Sequence, residues 1–204
     1  MTKKFNLTKE TKEAFGITFY QIEALKDFGD VSNGDKGGWV EKEDNLSQEN
    51  NSWVSGNARV SGNARVSGDA WVSGDAWVSG DARVSGDARV SGNVWVFGDA
   101  WVSGDARVSG NAWVSGDAWV SGDAWVSGDA RVSGDVWVYK QKLIGGYFYH
   151  TKSKSEKIES IETYNDGYET LCREPKLAEE EKPQGKKVKI RLSNDQIVEG
   201  EIVD

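Results

Sequence analysis

From Trp53 to Val138 the chain repeats a six-residue pattern, (Trp/Arg)-Val-Ser-Gly-(Asp/Asn)-Ala, through fifteen units without a gap. Inside each unit apolar and polar positions alternate over four residues, as in Ala70-Trp71-Val72-Ser73. Alternation at period two predicts a short, half-buried strand with Ala and Val on one face and Trp or Arg and Ser on the other. The next two residues, as in Gly74-Asp75, are turn formers: glycine takes a positive φ without steric cost, and aspartate bonds its local backbone. Each hexapeptide therefore reads as one strand and one corner. A helix is excluded by the 14 glycines at six-residue spacing, each of which costs about 1 kcal/mol in a helix.

One such unit cannot bury its apolar face alone, and stacking is the solution open to short repeats. Three hexapeptides per triangular coil give a narrow prism whose inside admits only Val and Ala, so Trp, Arg and Ser go outside. The expected fold is all-β: a parallel β-helix of about five coils, roughly 24 Å long at about 4.8 Å per coil, with β-rich caps at both ends. Val94 and Val136 replace Ala and need extra room inside, and Phe97 replaces Ser.

Three units per coil stack residues eighteen apart. One face carries Trp53, Trp71, Arg89, Arg107 and Trp125; a second Arg59, Trp77, Trp95, Trp113 and Arg131; a third Arg65, Arg83, Trp101, Trp119 and Trp137. Neighbours in a column are placed for aromatic stacking and for Arg to lie on Trp, contacts of about 0.5–1.5 kcal/mol each. The plain reading is that these ladders stabilise the rod. The sharper one makes them binding surface, since Trp and Arg dominate interface hot spots. Trp77, Trp95 and Trp113 on the second face, and Trp101, Trp119 and Trp137 on the third, are the candidates because each trio is uninterrupted. The corners form columns too, and Asp81, Asp99, Asp117 and Asp135 are candidate binding residues along one of them. Asn recurring at the equivalent place supports a simple turn role for these residues. Calcium wants six to eight oxygens, and one carboxylate per corner starts poorly.

The flanks divide into an N-terminal β cap (1–50), the hexapeptide rod (51–140), a β-hairpin region (141–173), a linker (174–186) holding both prolines, and a C-terminal β-hairpin (187–204). Residues 17–25 read as a strand and 30–38 as a turn-rich loop. Residues 157–163 and 168–172 read as hairpin arms about an Asp166-Gly167 turn. A β-helix needs its open end covered, because an exposed edge pairs with another chain.

The run Gly37-Gly38-Trp39-Val40-Glu41-Lys42-Glu43, then Asn45-Leu46-Ser47-Gln48 and Asn51-Ser52-Trp53-Val54, resembles the YdcK-like hexapeptide-repeat proteins of bacteria and prophages. Tyr20-Gln21-Ile22 and Asp27-Phe28-Gly29-Asp30-Val31 look similar to the same group, so the resemblance spans about residues 5–140. It implies a capped β-helix and brings no reaction and no catalytic residues. The Val-Ser-Gly-Asp-Ala-x register also looks like that of left-handed β-helices, which implies that handedness.

Charge and chemistry narrow the function. The chain has 25 Lys+Arg against 33 Asp+Glu, a net charge of −8, spread evenly along its length. No basic footprint for nucleic acid dominates, so direct nucleic-acid binding is not expected. The single cysteine, Cys172, allows no internal disulfide. No apolar run approaches a membrane span of roughly 18 residues, and Met1-Thr2-Lys3-Lys4-Phe5 lacks a signal-peptide core; the expected location is the cytoplasm. Left-handed hexapeptide acyltransferases generally use a histidine base, but His150, the one histidine, lies outside the repeats. No phosphate loop, metal cluster or nucleophile motif appears. The expectation is a non-enzymatic binding or scaffold rod without cofactor or metal, engaging a protein partner or further copies of itself, a trimer included. Two alternatives remain: a phage inhibitor of a host defence protein such as a nuclease, acting by acidic mimicry of nucleic acid, and a hexapeptide acyltransferase.

Overall fold

A computed structural model describes residues 3–139 and 142–144, together with the backbone of the strands Tyr147–His150, Ile158–Glu162, Lys186–Leu192 and Ile197–Ile202. The hexapeptides stack as a parallel β-solenoid of three sheets. Register is eighteen residues throughout: Trp53 pairs with Trp71 on the first face, Trp77 with Trp95 on the second and Trp101 with Trp119 on the third. The Trp/Arg and Ser N–H groups of each strand donate to the following coil, as Trp71 N does to Ala88 O at 2.9 Å and Ser73 N to Val90 O at 2.8 Å. The Val and Ala positions are buried along the whole prism, and both enlarged positions, Val94 and Val136, lie inside as well.

The corners explain the invariable glycine. Gly110 has φ +76°, and a Cβ there would sit 2.7 Å from the backbone nitrogen of Gly128 in the next coil. Backbone stacks directly on backbone at the corner, so a side chain is refused on both conformational and packing grounds. Corner N–H groups join the ladder too: Asp69 N donates to Gly86 O at 2.9 Å.

The stack makes about six turns, because both flanks extend the five coils supplied by the hexapeptides. At the N-terminus β1 (Phe5–Ala14) and β2 (Ile17–Ala24) form an antiparallel hairpin. β2 pairs antiparallel with β3 (Lys36–Val40), which pairs parallel with Arg59–Val60 and so joins the second face. β3 begins inside the stretch expected to be loop. Leu46 bridges to Val66 on the third face. β3 comes close to the first coil at Gly37, where a Cβ would sit 2.6 Å from the Trp53 ring.

These elements also supply donors to the outward carbonyls of the first coil. Trp39 N bonds Ala58 O, Glu41 N bonds Val60 O and Ser47 N bonds Val66 O, each at 2.9 Å. The buried Asn45 amide adds bonds to Gly62 O at 3.2 Å and Ala64 O at 2.9 Å. At the first-face edge the buried Lys4 ammonium does the work, donating to Ser52 O at 2.8 Å, Ser52 Oγ at 3.1 Å, Glu49 O at 3.3 Å and Asn50 O at 3.4 Å. Gln48 ties the start of β1 down, accepting from Lys4 N at 2.7 Å and donating to Phe5 O at 3.1 Å.

Beyond the rod, Lys142–Ile144 pairs with Trp125–Ser127, Tyr147–His150 with Arg131–Gly134, and Ile158 with Val138, all parallel. Lys186–Leu192 then pairs antiparallel with both Ile158–Glu162 and Ile197–Ile202. The expected Asp-Gly turn, its arm at 168–172 and Cys172 lie outside the described residues, as does the linker up to residue 185.

Candidate functional site

Alternation places every Trp outside, and the next structural question is what holds so many indoles in order. Five of the repeat tryptophans lean back over the preceding coil to bond the serine sixteen residues earlier. Trp101 Nε1 donates to Ser85 Oγ at 3.0 Å, Trp119 to Ser103 at 3.1 Å, Trp77 to Ser61 at 3.0 Å and Trp71 to Ser55 at 3.1 Å. The repeat serine is thus the indole acceptor. Phe97 occupies that place beneath Trp113, and the hydrogen bond is replaced by an edge contact between rings, 6.0 Å apart at 79°.

The second-face trio divides between cap and surface. Trp77 stacks under Phe15 at 4.8 Å and meets Phe19 edge-on at 6.5 Å. Trp95 is exposed and stacks on Trp113 at 5.3 Å and 7°. Arg131 covers the other side of Trp113 at 4.8 Å. On the first face Trp53 is buried under the edge of Phe28, 5.4 Å away. The cap has therefore converted part of two predicted surface columns into packing.

The third face keeps its trio together. Trp101 and Trp119 stack at 4.8 Å and 2°, and Trp119 meets Trp137 edge-on at 4.7 Å. Corner and strand are neighbours here, because Asp99-Ala100-Trp101 turns only Ala inward. Asp99, Asp117 and Asp135 consequently line one wall of a shallow groove of about 250 Å³, with Trp101, Trp119 and Trp137 forming the other. Six of the ten candidate residues meet in this one place. At Trp101 the groove joins a wider one of about 740 Å³, lined among others by Lys42, Asn63, Arg65, Asp81 and Arg83. The combined furrow runs the length of the rod, aromatic and acidic toward one end and richer in cations toward the other.

At its basic end Arg83 lies over the Trp101 ring at 6.0 Å and Lys42 Nζ donates to Asn63 Oδ1 at 3.4 Å. Among the described residues both ion pairs lie in the cap, Lys3–Glu43 and Lys36–Glu23, each at 2.8 Å. The Lys3 hydrogen bond holds the Glu43 carboxyl below its usual range, with help from Gln48. On the rod, asparagine relieves carboxylate stacking: Asn63 donates to Asp81 at 2.9 Å, and Asn93 to Asn111 (3.1 Å) to Asp129 (2.9 Å) along another corner. Asp99, Asp117 and Asp135 follow one another with no such amide between them.

The sequence reading grouped strands and corners as separate columns, and so missed both the groove and its basic end at Lys42, Arg65 and Arg83. The signal was present in the two-residue offset between each Asp and the following Trp or Arg. Among the described residues no group of three metal-ligating side chains occurs, and no helix is long and apolar enough to cross a membrane.

Three stacked parallel sheets with a six-residue repeat define a β-solenoid repeat protein. Residues 58–74, 64–80, 76–92, 82–98, 88–104, 100–116, 106–122 and 124–140 each match the family model of the YdcK β-solenoid repeat, to which the rod is therefore similar. No curated protein matches the chain.

Proposed function

We propose that the protein is a non-enzymatic scaffold whose third-face furrow binds a protein surface bearing Arg or Lys side chains. The carrying observation is the Trp101–Trp119–Trp137 column set against Asp99, Asp117 and Asp135. A cation entering there meets a π face and a carboxylate together, the two attractions that suit a guanidinium. The same molecule already uses its Trp columns this way: Arg131 lies over Trp113 and Lys142 Nζ over Trp125, both at 4.8 Å. A rigid backbone also holds the site ready before binding, which lowers the entropic cost of association.

Titration with an oligo-arginine peptide, followed by tryptophan fluorescence, tests this. Binding is expected to weaken at least tenfold in Trp101→Ser/Trp119→Ser and in Asp99→Asn/Asp117→Asn. Unchanged affinity in either variant would overturn the reading. The exposed column Asp81, Asp99 and Asp117 also supports a second reading, mimicry of a nucleic-acid backbone toward a basic protein. That reading predicts sensitivity to the Asp changes and indifference to the Trp changes.

A further inference from the structure

We infer that the occupant of the third-face furrow is a second copy of this chain, docked antiparallel; this rests on reading the furrow as a protein-binding surface. Charge is ordered along the rod. Successive levels present Lys42 with Asp44, then Asn63 with Arg65, then Asp81 with Arg83, then Asp99 with Trp101, Asp117 with Trp119, and Asp135 with Trp137. All three cations lie in one half, where they outnumber Asp44 and Asp81, and the uninterrupted aromatic and acidic pairs occupy the other.

A two-fold axis lying across the furrow, between the Arg83 and Trp101 coils, brings each level of one copy against the reciprocal level of the other. Closed dimers are built from such self-complementary patches. Lys42 then faces Asp135, Arg65 faces the Trp119 ring beside Asp117, and Arg83 faces the Trp101 ring beside Asp99. Asn63 offers its amide to the Asp117 level. Two like-charged meetings result: Asp81 with Asp99 is flanked by both copies of Arg83, and Asp44 approaches Asp135 beside Lys42. A parallel arrangement would instead set acid-bearing levels against each other at the Trp end and cations against each other at the basic end.

Arg65, Asp99 and Asp117 enter no ion pair with a described residue, so docking would not first have to break one, while Arg83, which lies over its own Trp101 ring at 6.0 Å, would exchange that ring for the partner's. Six levels at about 4.8 Å make a contact about 29 Å long but narrow. That places the interface at the small end of specific contacts, with a Kd on the order of micromolar and clear salt dependence.

Sedimentation equilibrium on the full chain provides the test, using two charge-reversed variants: Lys42→Glu/Arg65→Glu and Asp117→Lys/Asp135→Lys. The changes are on the outside of the rod, and circular dichroism checks that each variant keeps its fold. The wild type is expected to dimerise with concentration, and each variant alone to be monomeric at the same concentration. An equimolar mixture of the two should recover a dimer, because both ends of the mixed pair are again complementary. A wild type that stays monomeric, a dimer indifferent to either reversal, or a mixture that fails to recover would each overturn the proposal. Lys42→Glu/Arg65→Glu retains the acidic groove, so its binding of oligo-arginine reports separately on the underlying reading. Retained peptide binding without a wild-type dimer removes the second copy and keeps the binding surface.

Discussion

The Lys4 ammonium exchanges water for three backbone carbonyls, the Ser52 hydroxyl and the face of Phe28 at 5.0 Å. Burial pushes its pKa down to about 8, repulsion from Lys26 adds to this, and Asp69 opposes it. An unfolded lysine keeps its proton to about pH 10.5. Between about 8 and 10.5 the unfolded chain therefore binds more protons than the native one, and stability must rise with pH across that window. Denaturation midpoints of the wild type should climb from pH 8 to 10 relative to Lys4→Met, in which this titration is gone. Parallel profiles for the two proteins would refute the assignment. At pH 7 the Met variant leaves edge carbonyls without donors, a loss of about 1–3 kcal/mol. The Ser103 hydroxyl has a smaller part: Ser103→Ala strips the acceptor from Trp119 and should cost about 1 kcal/mol, read as a lowered thermal midpoint.

At the scale of the coil, corner geometry separates two costs that usually come together. Gly16, in the turn between β1 and β2, and Gly110, at a rod corner, have nearly the same φ, +75° and +76°. A Cβ at Gly16 meets nothing within 4 Å, whereas one at Gly110 runs into the Gly128 backbone. Gly16→Ala should therefore show conformational cost alone, about 1–2 kcal/mol. Gly110→Ala should exceed it, since the stacked coils must also separate. Equal losses in denaturant unfolding would mean that the coils yield freely. The six-residue period made this element readable in advance, for it fixed the strands, the buried Val and Ala, the corners and the eighteen-residue columns. The cap was less readable. Burial of Trp53 under Phe28, cover of Trp77 by Phe15 and enclosure of Lys4 all join residues far apart in a stretch that has no period. For the site, the Trp and Asp columns were each legible, but their meeting required a corner and its following strand to be considered as one surface.

For the whole molecule, the governing problem of a solenoid is its ends, because each coil is a template for the next. Here the polarity of the ladder decides what each end lacks. The Trp/Arg and Ser N–H groups point toward the following coil and the Ala and Val carbonyls toward the preceding one. The first coil therefore turns outward an edge rich in carbonyls, with the Val N–H as the donor that parallel pairing directs the same way. β3, Asn45, Glu41, Ser47 and Lys4 supply the donors for those carbonyls. The cap also covers the Val and Ala interior, with Phe5, Ile22 and Leu46 buried against it. Deleting residues 1–51 would uncover both the carbonyl row and the apolar bore. The truncated rod should then associate end-on into species that grow with concentration. Side-on docking would confuse the result, so the deletion is best made with Asp117→Lys/Asp135→Lys, which disables the proposed furrow contact. Light scattering should show growth in the truncated variant and none in the same variant with its cap. A truncated rod that stays monodisperse at the concentrations used for the capped one would show that the cap shapes this protein without closing it.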